Sequence, residues 1–415
     1  MPPATVGGMR LLLPFLLVAS LLTAAPAVAA PAKTGFTLPA PTGRYAVGST
    51  ELHLVQPDRP DPWLPAKPRE LMTSVWYPAL RTGLPLAPYV PPALAEHYDT
   101  EPPIGLPAGR VDWAGVRGHA RTGAPVLGGP GGFPVVLYSP GVGNSRVFGT
   151  VLAEELASRG YVVVGVDHTY ETTVAFPGGR VEPDSAFDLT DPNDPDAIER
   201  AKQRLMDARE YDSRFVLDQL ETLAAGGNPD AERRALPAGL GRALDLSEVG
   251  MFGHSGGGVT SSRVVQADRR VDAGVNMDGW YSFGDNRPEL GVDRPFLLMG
   301  AGSSPDLPPL YGKPRTHLTE PDWGRFWRAS TGWQLDLNVP AGRHYTFTDA
   351  QWFLPQLAGP LGLDLRDSIG TVDPVRIVDA QRAYLTAFFD QHLKHRPQPL
   401  LRGPSPEYPQ VEFIR

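Results

Sequence analysis

The stretch VGMFGHSGGGVTSS, residues 249–262, runs from a small apolar segment through a glycine-rich turn into a helix-compatible segment. Within it, Gly253-His254-Ser255-Gly256-Gly257 reads G-x-S-x-G. The pattern gains meaning from its place between a predicted strand and a predicted helix. A serine there sits on a sharp turn with its hydroxyl exposed above a sheet. The glycines are needed because side chains at their positions would collide with the neighbouring strand and helix. The helix N-terminus that follows favours developing negative charge. A glycine-rich turn without chemistry would carry the same five letters, but strand and helix in register select Ser255 as a nucleophile.

The flanking sequence extends the same logic. FPVVLYS (133–139), YVVVGVD (161–167), EVGMFGH (248–254), VDAGVNM (271–277), RPFLLMG (294–300) and WQLDLNV (333–339) are short apolar runs. Such runs suit parallel strands buried on both faces. Helices are predicted over 148–160, 196–226, 257–268 and 375–394, with Asp196 and Glu199 forming a capping-box-like start to the second. Strands alternating with helices specify an α/β fold, a mostly parallel central sheet with helices on both faces. Residues 45–55 and 71–80 have β character and predict an entry hairpin. The Pro- and Gly-rich 81–132 region is expected to pass over the surface. It and insertions at 171–196 and 302–330 are expected to form the substrate entrance.

Composition narrows the class. The chain has 415 residues, a formal net charge of −8, 46 prolines, 45 glycines and no cysteine. No Lys/Arg cluster is dense enough to suggest a nucleic-acid face, and the acidic balance favours solubility. Without cysteine there is no disulfide, zinc-thiolate site, thiol nucleophile or cysteine-linked lipid anchor. The prolines of DPNDPD (191–196) and its lack of the required glycine spoil a calcium loop. There is no H-E-x-x-H and no phosphate-binding G-x-x-x-x-G-K, so no metal or cofactor is expected. Arg10, the apolar LLLPFLLVASLL (11–22) and AVA (27–29) read as an export signal cleaved before Ala30, with Met9 an alternative start. The apolar core falls short of the roughly 20 residues needed to span a bilayer. The expected organisation is a signal over 1–29, a linker over 30–44, one catalytic domain over 45–400 and a tail over 401–415. The expected location is extracellular.

A serine at neutral pH needs a base, and where G-x-S-x-G joins strand to helix the chain order is Ser, then Asp or Glu, then His. His344, in PAGRHYTF, follows the strand at 333–339 on the sheet edge that carries Ser255, and is the expected base. His392 and His395 belong on or after the last helix and are expected to be solvated. His317 lies in a Pro-rich segment. For the acid, Asp278 in NMDGW and Asp306 in GSSPDLPP each end a later strand, and position leaves both open. Asp167 ends a strand before the serine and reads as a loop anchor. Gly256 and Val142, the latter in SPGVGNSR, are the expected donors of two backbone N–H groups to an oxyanion. Among the tryptophans after Asp278, Trp280, with its neighbour Tyr281, is the best candidate to line a substrate pocket.

These residues together resemble the platelet-activating factor acetylhydrolase family, plasma and type II branch, of the α/β-hydrolases. FPVVLYSPGVGNSR is similar to its Phe-Pro strand and oxyanion loop, LASRGYVVVGVDH to the next helix and strand, GHSGGG to its nucleophile elbow and NMDGW to its Leu-Asp acid segment. The resemblance spans roughly 133–395, with a weaker echo in SVWYPAL. It implies the α/β-hydrolase fold and a triad of Ser255, Asp278 and His344, which favours Asp278 over Asp306. Two departures stand out. Pro140 replaces the usual histidine before Gly141, and Gly256 replaces a common aromatic. A glycine there is expected to remove one wall of the acyl site.

The sequence thus predicts a secreted serine ester hydrolase acting on phospholipid-type or lipid acyl or acetyl esters, with lipid-surface contact and without a required protein partner. A polyester- or cutin-type hydrolase or a peptidase would use the same triad. A catalytically inactive binding module would lack one of its members.

Overall fold

The computed structural model describes residues 32–129, 131–188, 193–303 and 312–415. The export segment and Asp306 lie outside them. An entry hairpin, β1 (Ala46–Pro60) and β2 (Pro68–Ala79), pairs antiparallel from Ala46 with Ala79 to Gln56 with Arg69. After β3 (Leu86–Pro88), α1 (Pro92–Thr100) and β4 (Arg117–Thr122) come the core strands β5 (Phe133–Ser139) and β6 (Val162–Asp167), joined by α2 (Thr150–Ser158). A short pair, β7 (Val174–Ala175) and β8 (Val181–Glu182), precedes the long α3 (Pro195–Ala224). The second half alternates β9 (Leu244–His254), α4 (Gly256–Ala267), β10 (Ala273–Met277), β11 (Phe296–Ala301), α5 (Pro321–Ala329) and β12 (Gln334–Val339). It closes with α6 (Ala350–Leu361), α7 (Arg366–Ile369), α8 (Pro374–His392) and β13 (Glu412–Ile414).

Eleven strands form one sheet in the order β13-β12-β11-β10-β9-β5-β6-β2-β1-β4-β3. The run from β12 to β6 is parallel, as buried apolar strands linked by helices require. Side chains alternate between two apolar cores. Val135 and Leu137 of β5 face α3 and α4, meeting Leu205, Val216, Leu220, Val259 and Val264. Val136 and Tyr138 face α2 and α8, meeting Leu156, Leu385, Phe388 and Phe389. Each fully buried Val, Leu or Phe contributes about 1.5–3 kcal/mol. This is the α/β-hydrolase fold. The chain leaves β6 on one side of β5 and returns as β9 on the other, so strand order switches between β5 and β9. A crevice opens at the carboxyl ends of such strands.

Several expectations need correction. The 81–132 region is no mere surface excursion: Tyr89, Leu94, Tyr98 and Trp113 build a third apolar core with Phe353 and Leu354 of α6. The predicted linker joins it through Phe36 and Leu38, and Trp352 Nε1 donates to Thr37 O at 2.9 Å. The predicted tail adds an edge strand, with Phe413 opposite Leu337 of β12. Helix α3 starts earlier than the Asp196/Glu199 reading: Asp194 caps it by accepting from Asp196 N, and Pro195 occupies the first turn, where its missing N–H costs nothing. Among the described residues, no helix is long and apolar enough to cross a membrane.

Candidate active site

Strand β9 ends at His254 and delivers Ser255 in a strained backbone conformation, φ 54° and ψ −126°. The surroundings impose it. Ser255 N donates to Met277 O at 2.8 Å, and Gly258 N donates back to Ser255 O at 2.9 Å. The glycines are sterically required. A Cβ on Gly257 would lie 1.9 Å from Ser139 O, and one on Gly253 would lie 2.2 Å from the Gly257 carbonyl carbon. Helix α4 begins at Gly256, so its N-terminal N–H groups face the space beside the serine.

Asp278 follows β10 and also takes a positive φ, 60°. It is fully buried, and His344 follows β12 with its side chain 17% exposed. His344 Nε2 lies 2.9 Å from Ser255 Oγ, and its Nδ1 lies 2.6 Å from Asp278 Oδ2. Three residues predicted from separate segments are thus brought into one chain of hydrogen bonds. Asp278 Oδ1 accepts from Ala301 N at 2.8 Å. Asp167, the other strand-end acid, accepts from Ser145 Oγ and Arg146 N and anchors the loop after β5.

Sequence reasoning missed Arg315. Its Nη1 lies 2.9 Å from Asp278 Oδ2 and donates to Asp278 O at 2.5 Å. Burial alone pushes the Asp278 carboxyl up, but the Arg315 cation and the His344 hydrogen bond outweigh it and hold the group below its ordinary value. A depressed carboxyl stabilises the fold above the ordinary carboxylate range, and that stabilisation is lost as pH falls through the depressed value. Arg315 arrives from the segment after β11, and nothing local in the sequence points to it. His254, the variable residue of the motif, was missed too. Its Nε2–H donates to the His344 carbonyl at 2.8 Å. Burial and the nearby His344 hold it well below its ordinary value, so it is a neutral brace for the loop that carries His344.

Trp280 and Tyr281 part company. The Trp280 ring lies parallel to the His344 imidazole, with centroids 5.5 Å apart and planes 8° apart. The Arg315 guanidinium sits 3.8 Å from the Trp280 centroid. Tyr281, expected in the pocket, is 1% exposed and stacks on Phe326 in the core beneath. Its adjacent position turns it to the packed side. The remaining histidines are engaged elsewhere. His317 Nδ1 meets Asp336 at 2.7 Å, and exposed His395 meets Glu248 at 2.8 Å. His392, expected in solvent, is half-buried against Trp333 and Phe388. Among the described residues no group of three His, Asp or Glu is placed to hold a metal ion.

The loop after β5 places Val142 against Gly256. A Cβ built on Gly256 would come within 3.6 Å of Val142 N and 2.6 Å of Val142 Cγ2. The Val142 side chain therefore fills the space that a side chain at 256 would take, correcting the expectation of a missing wall. Gly256→Ala should lower kcat/KM about tenfold by displacing Val142, while Val142→Ala alone should cost under about threefold. The double variant should recover most of the loss, a coupling of about 1 kcal/mol. A double-mutant cycle on p-nitrophenyl butyrate hydrolysis measures it, and strictly additive losses would refute the contact.

Comparison with known proteins gives four matches. The family model for platelet-activating factor acetylhydrolase, isoform II, matches residues 83–302, a span that holds Val142, Ser255 and Asp278 and stops before His344. A probable 1-alkyl-2-acetylglycerophosphocholine esterase from Arthroderma benhamiae is 28% identical, across 94% of this chain and 96% of that protein. A platelet-activating factor acetylhydrolase from Cavia porcellus is 23% identical across 59% of this chain and 56% of its own length. Among solved structures, a ferulic acid esterase from Streptomyces cinnamoneus is similar with a TM-score of 0.74 and 39% identity, covering 92% of this chain and 100% of that one.

Proposed function

The chain belongs to the platelet-activating factor acetylhydrolase, isoform II, family and is an esterase, and from that premise we propose that it is an exported serine carboxylic ester hydrolase working through an acyl-enzyme. One observation carries the reading: the unbroken chain from Ser255 Oγ to His344 Nε2 at 2.9 Å and from His344 Nδ1 to Asp278 at 2.6 Å.

Ser255 Oγ attacks the ester carbonyl carbon while His344 Nε2 takes the hydroxyl proton. Asp278, held ionised by Arg315, accepts from His344 Nδ1–H, fixing the tautomer and stabilising the imidazolium. The Val142 and Gly256 N–H groups take the charge on the tetrahedral oxyanion, reinforced by the N-terminus of α4. Collapse breaks the ester C–O bond, and His344 gives its proton to the departing alcohol. Water then attacks the acyl carbon, losing a proton to His344. The acid leaves, and Ser255 regains its proton.

For the substrate we favour small lipid-type acyl or acetyl esters, in keeping with the family and with the wall that Val142 supplies. A second reading, esters of aromatic acids, is favoured by the Trp280 face beside His344 and by the likeness to a ferulic acid esterase. A panel of p-nitrophenyl esters from acetyl to dodecanoyl, an acetylated glycerophosphocholine and methyl ferulate tests both. The expected optimum is the shortest acyl chains with clear turnover of the acetylated phospholipid. A preference of more than about tenfold for the ferulate ester selects the aromatic reading, and no ester turnover overturns both. Export predicts that the protein recovered from the medium begins at Ala30.

A further inference from the structure

Arg209 of α3 is 1% exposed, yet it reaches the loop that carries Val142. Its Nη1 donates to Pro140 O at 2.7 Å and to Ser139 Oγ at 3.2 Å. Its Nη2 donates to Gly141 O at 3.3 Å, and its Nε donates to Glu171 at 2.5 Å. Behind it, Ser139 Oγ meets His168 Nε2 at 3.0 Å, and His168 Nδ1 meets Asp212 at 2.9 Å. Asp212 in turn accepts from Arg69 and Arg59. Burial, with the Arg209 charge next, lowers His168 to about 4, so the ring is neutral at neutral pH. Its single N–H goes to Asp212, and its Nε2 accepts from the Ser139 hydroxyl. That fixes the hydroxyl oxygen as an acceptor for Arg209.

We propose that Arg209 is a positioning residue that aims the Val142 N–H at the oxyanion. The Gly141–Val142 peptide is trans, so its C=O and N–H point in opposite directions. With the Gly141 carbonyl fastened to Arg209, the Val142 N–H points to the opposite face of that peptide, and the elbow packs against both groups: a Cβ on Gly256 would lie 3.6 Å from Val142 N and 3.8 Å from Arg209 Nη1. The loop touches the elbow closely: a Cβ on Gly141 would sit 3.2 Å from Ser255 Cβ. The loop's own restraints lie on its far side: Asn144 N donates to the same Gly141 carbonyl at 3.1 Å, and Asp167 holds Ser145 and Arg146, so Arg209 is the side-chain grip on the near side, at Pro140 and Gly141. Pro140 has no N–H to donate, and Gly143, at φ 74°, adds no side-chain restraint. A flipped peptide would replace a donor with a carbonyl oxygen facing the developing negative charge. The guanidinium suits this task because its planar fork grips two successive carbonyls in one fixed geometry, whereas the donors of an ammonium rotate about a single point.

The inference rests on the nucleophile reading of Ser255. Arg209→Gln and Arg209→Lys are assayed for kcat, KM and inhibition by phenylboronic acid, which forms a tetrahedral adduct on an active serine. Loss of one oxyanion donor costs about 10²–10³ in kcat. Arg209→Gln should therefore lower kcat about 10²-fold, and Arg209→Lys about tenfold, with KM changed by less than about threefold. Boronate Ki should weaken by the same factor as kcat/KM. A purely structural role would lower Tm and activity without that proportionality. If Arg209→Gln fails to fold, Arg209→Lys decides, since it keeps a cation beside Glu171. Unchanged kcat and boronate affinity in the folded variant, or a kcat loss with boronate affinity intact, overturns the inference. Ser255→Ala separates the two claims. Activity in Ser255→Ala would sink the nucleophile itself, whereas an inactive Ser255→Ala beside unimpaired Arg209 variants sinks only the role of Arg209.

Discussion

Ser255→Ala should lower kcat by about a millionfold, the scale seen when a triad nucleophile is removed. The variant keeps the Cβ and loses only Oγ, whose partner is His344 Nε2. The backbone strain at φ 54° is common to Ser and Ala, and the bonds that impose it run through main-chain atoms. Tm should therefore stay within about 2 °C of the parent. What remains is the modest acceleration over water that binding and the two oxyanion amides still supply. Stopped assays at high enzyme concentration measure it, and activity within tenfold of the parent would remove Ser255 from the mechanism.

Asp278→Asn should lower kcat by about 10⁴-fold through a different route. The Asp278 carboxylate serves acceptor needs from three sides: His344 Nδ1, Ala301 N and Arg315. An amide offers one oxygen and one NH2 group in their place. Turned so that its oxygen keeps Ala301 N, it sets the NH2 against His344 Nδ1 and Arg315, and His344 must then accept at Nδ1 and carry its proton on Nε2, the wrong tautomer for a base. The same change removes the Asp278 carboxylate charge from the Arg315 guanidinium, whose side chain is 5% exposed. Breaking a buried pair from one side costs about 3–5 kcal/mol, so the rate must be measured well below the lowered Tm. Asp306→Asn is the comparator: its activity should stay within about threefold of the parent. A reversal of the two results would move the acid to Asp306.

Much of this site is legible in the sequence because its signals are local. Continuous apolar runs mark β5, β6, β9 and β10, since a strand covered on both faces needs no polar alternation. Gly253 and Gly257 flank the serine because backbone passes too close for any Cβ. His344 is found by its loop, which emerges at the same sheet edge as Ser255. The supporting residues carry no such signal. Arg315, Arg209 and His254 act through contacts that only the closed sheet creates. Residues 81–132 lack periodicity because they contribute single side chains, such as Trp113 and Tyr89, to a core completed by Phe36 and Phe353. Trp280 and Tyr281 are adjacent, and only packing tells which faces His344.

Two similar constellations stand in the structure, and burial separates the one proposed for chemistry from the other. Ser139, His168 and Asp212 repeat the hydrogen-bonding order of Ser255, His344 and Asp278, at 3.0 and 2.9 Å. Yet Ser139, His168 and Asp212 are all fully buried, and Arg209 donates to the Ser139 hydroxyl. A buried serine without access to substrate has nothing to attack. Its place is to hold the loop, while Ser255 stands half-exposed on the strained turn.

The most direct test is to expose the protein to an activated alkyl phosphonate and locate the adduct by peptide mass spectrometry. One phosphonyl group per chain, carried by Ser255 and formed in step with loss of esterase activity, is the expected result. An adduct on Ser139 or another serine with Ser255 unmodified, or full inactivation without any adduct at Ser255, would contradict the account.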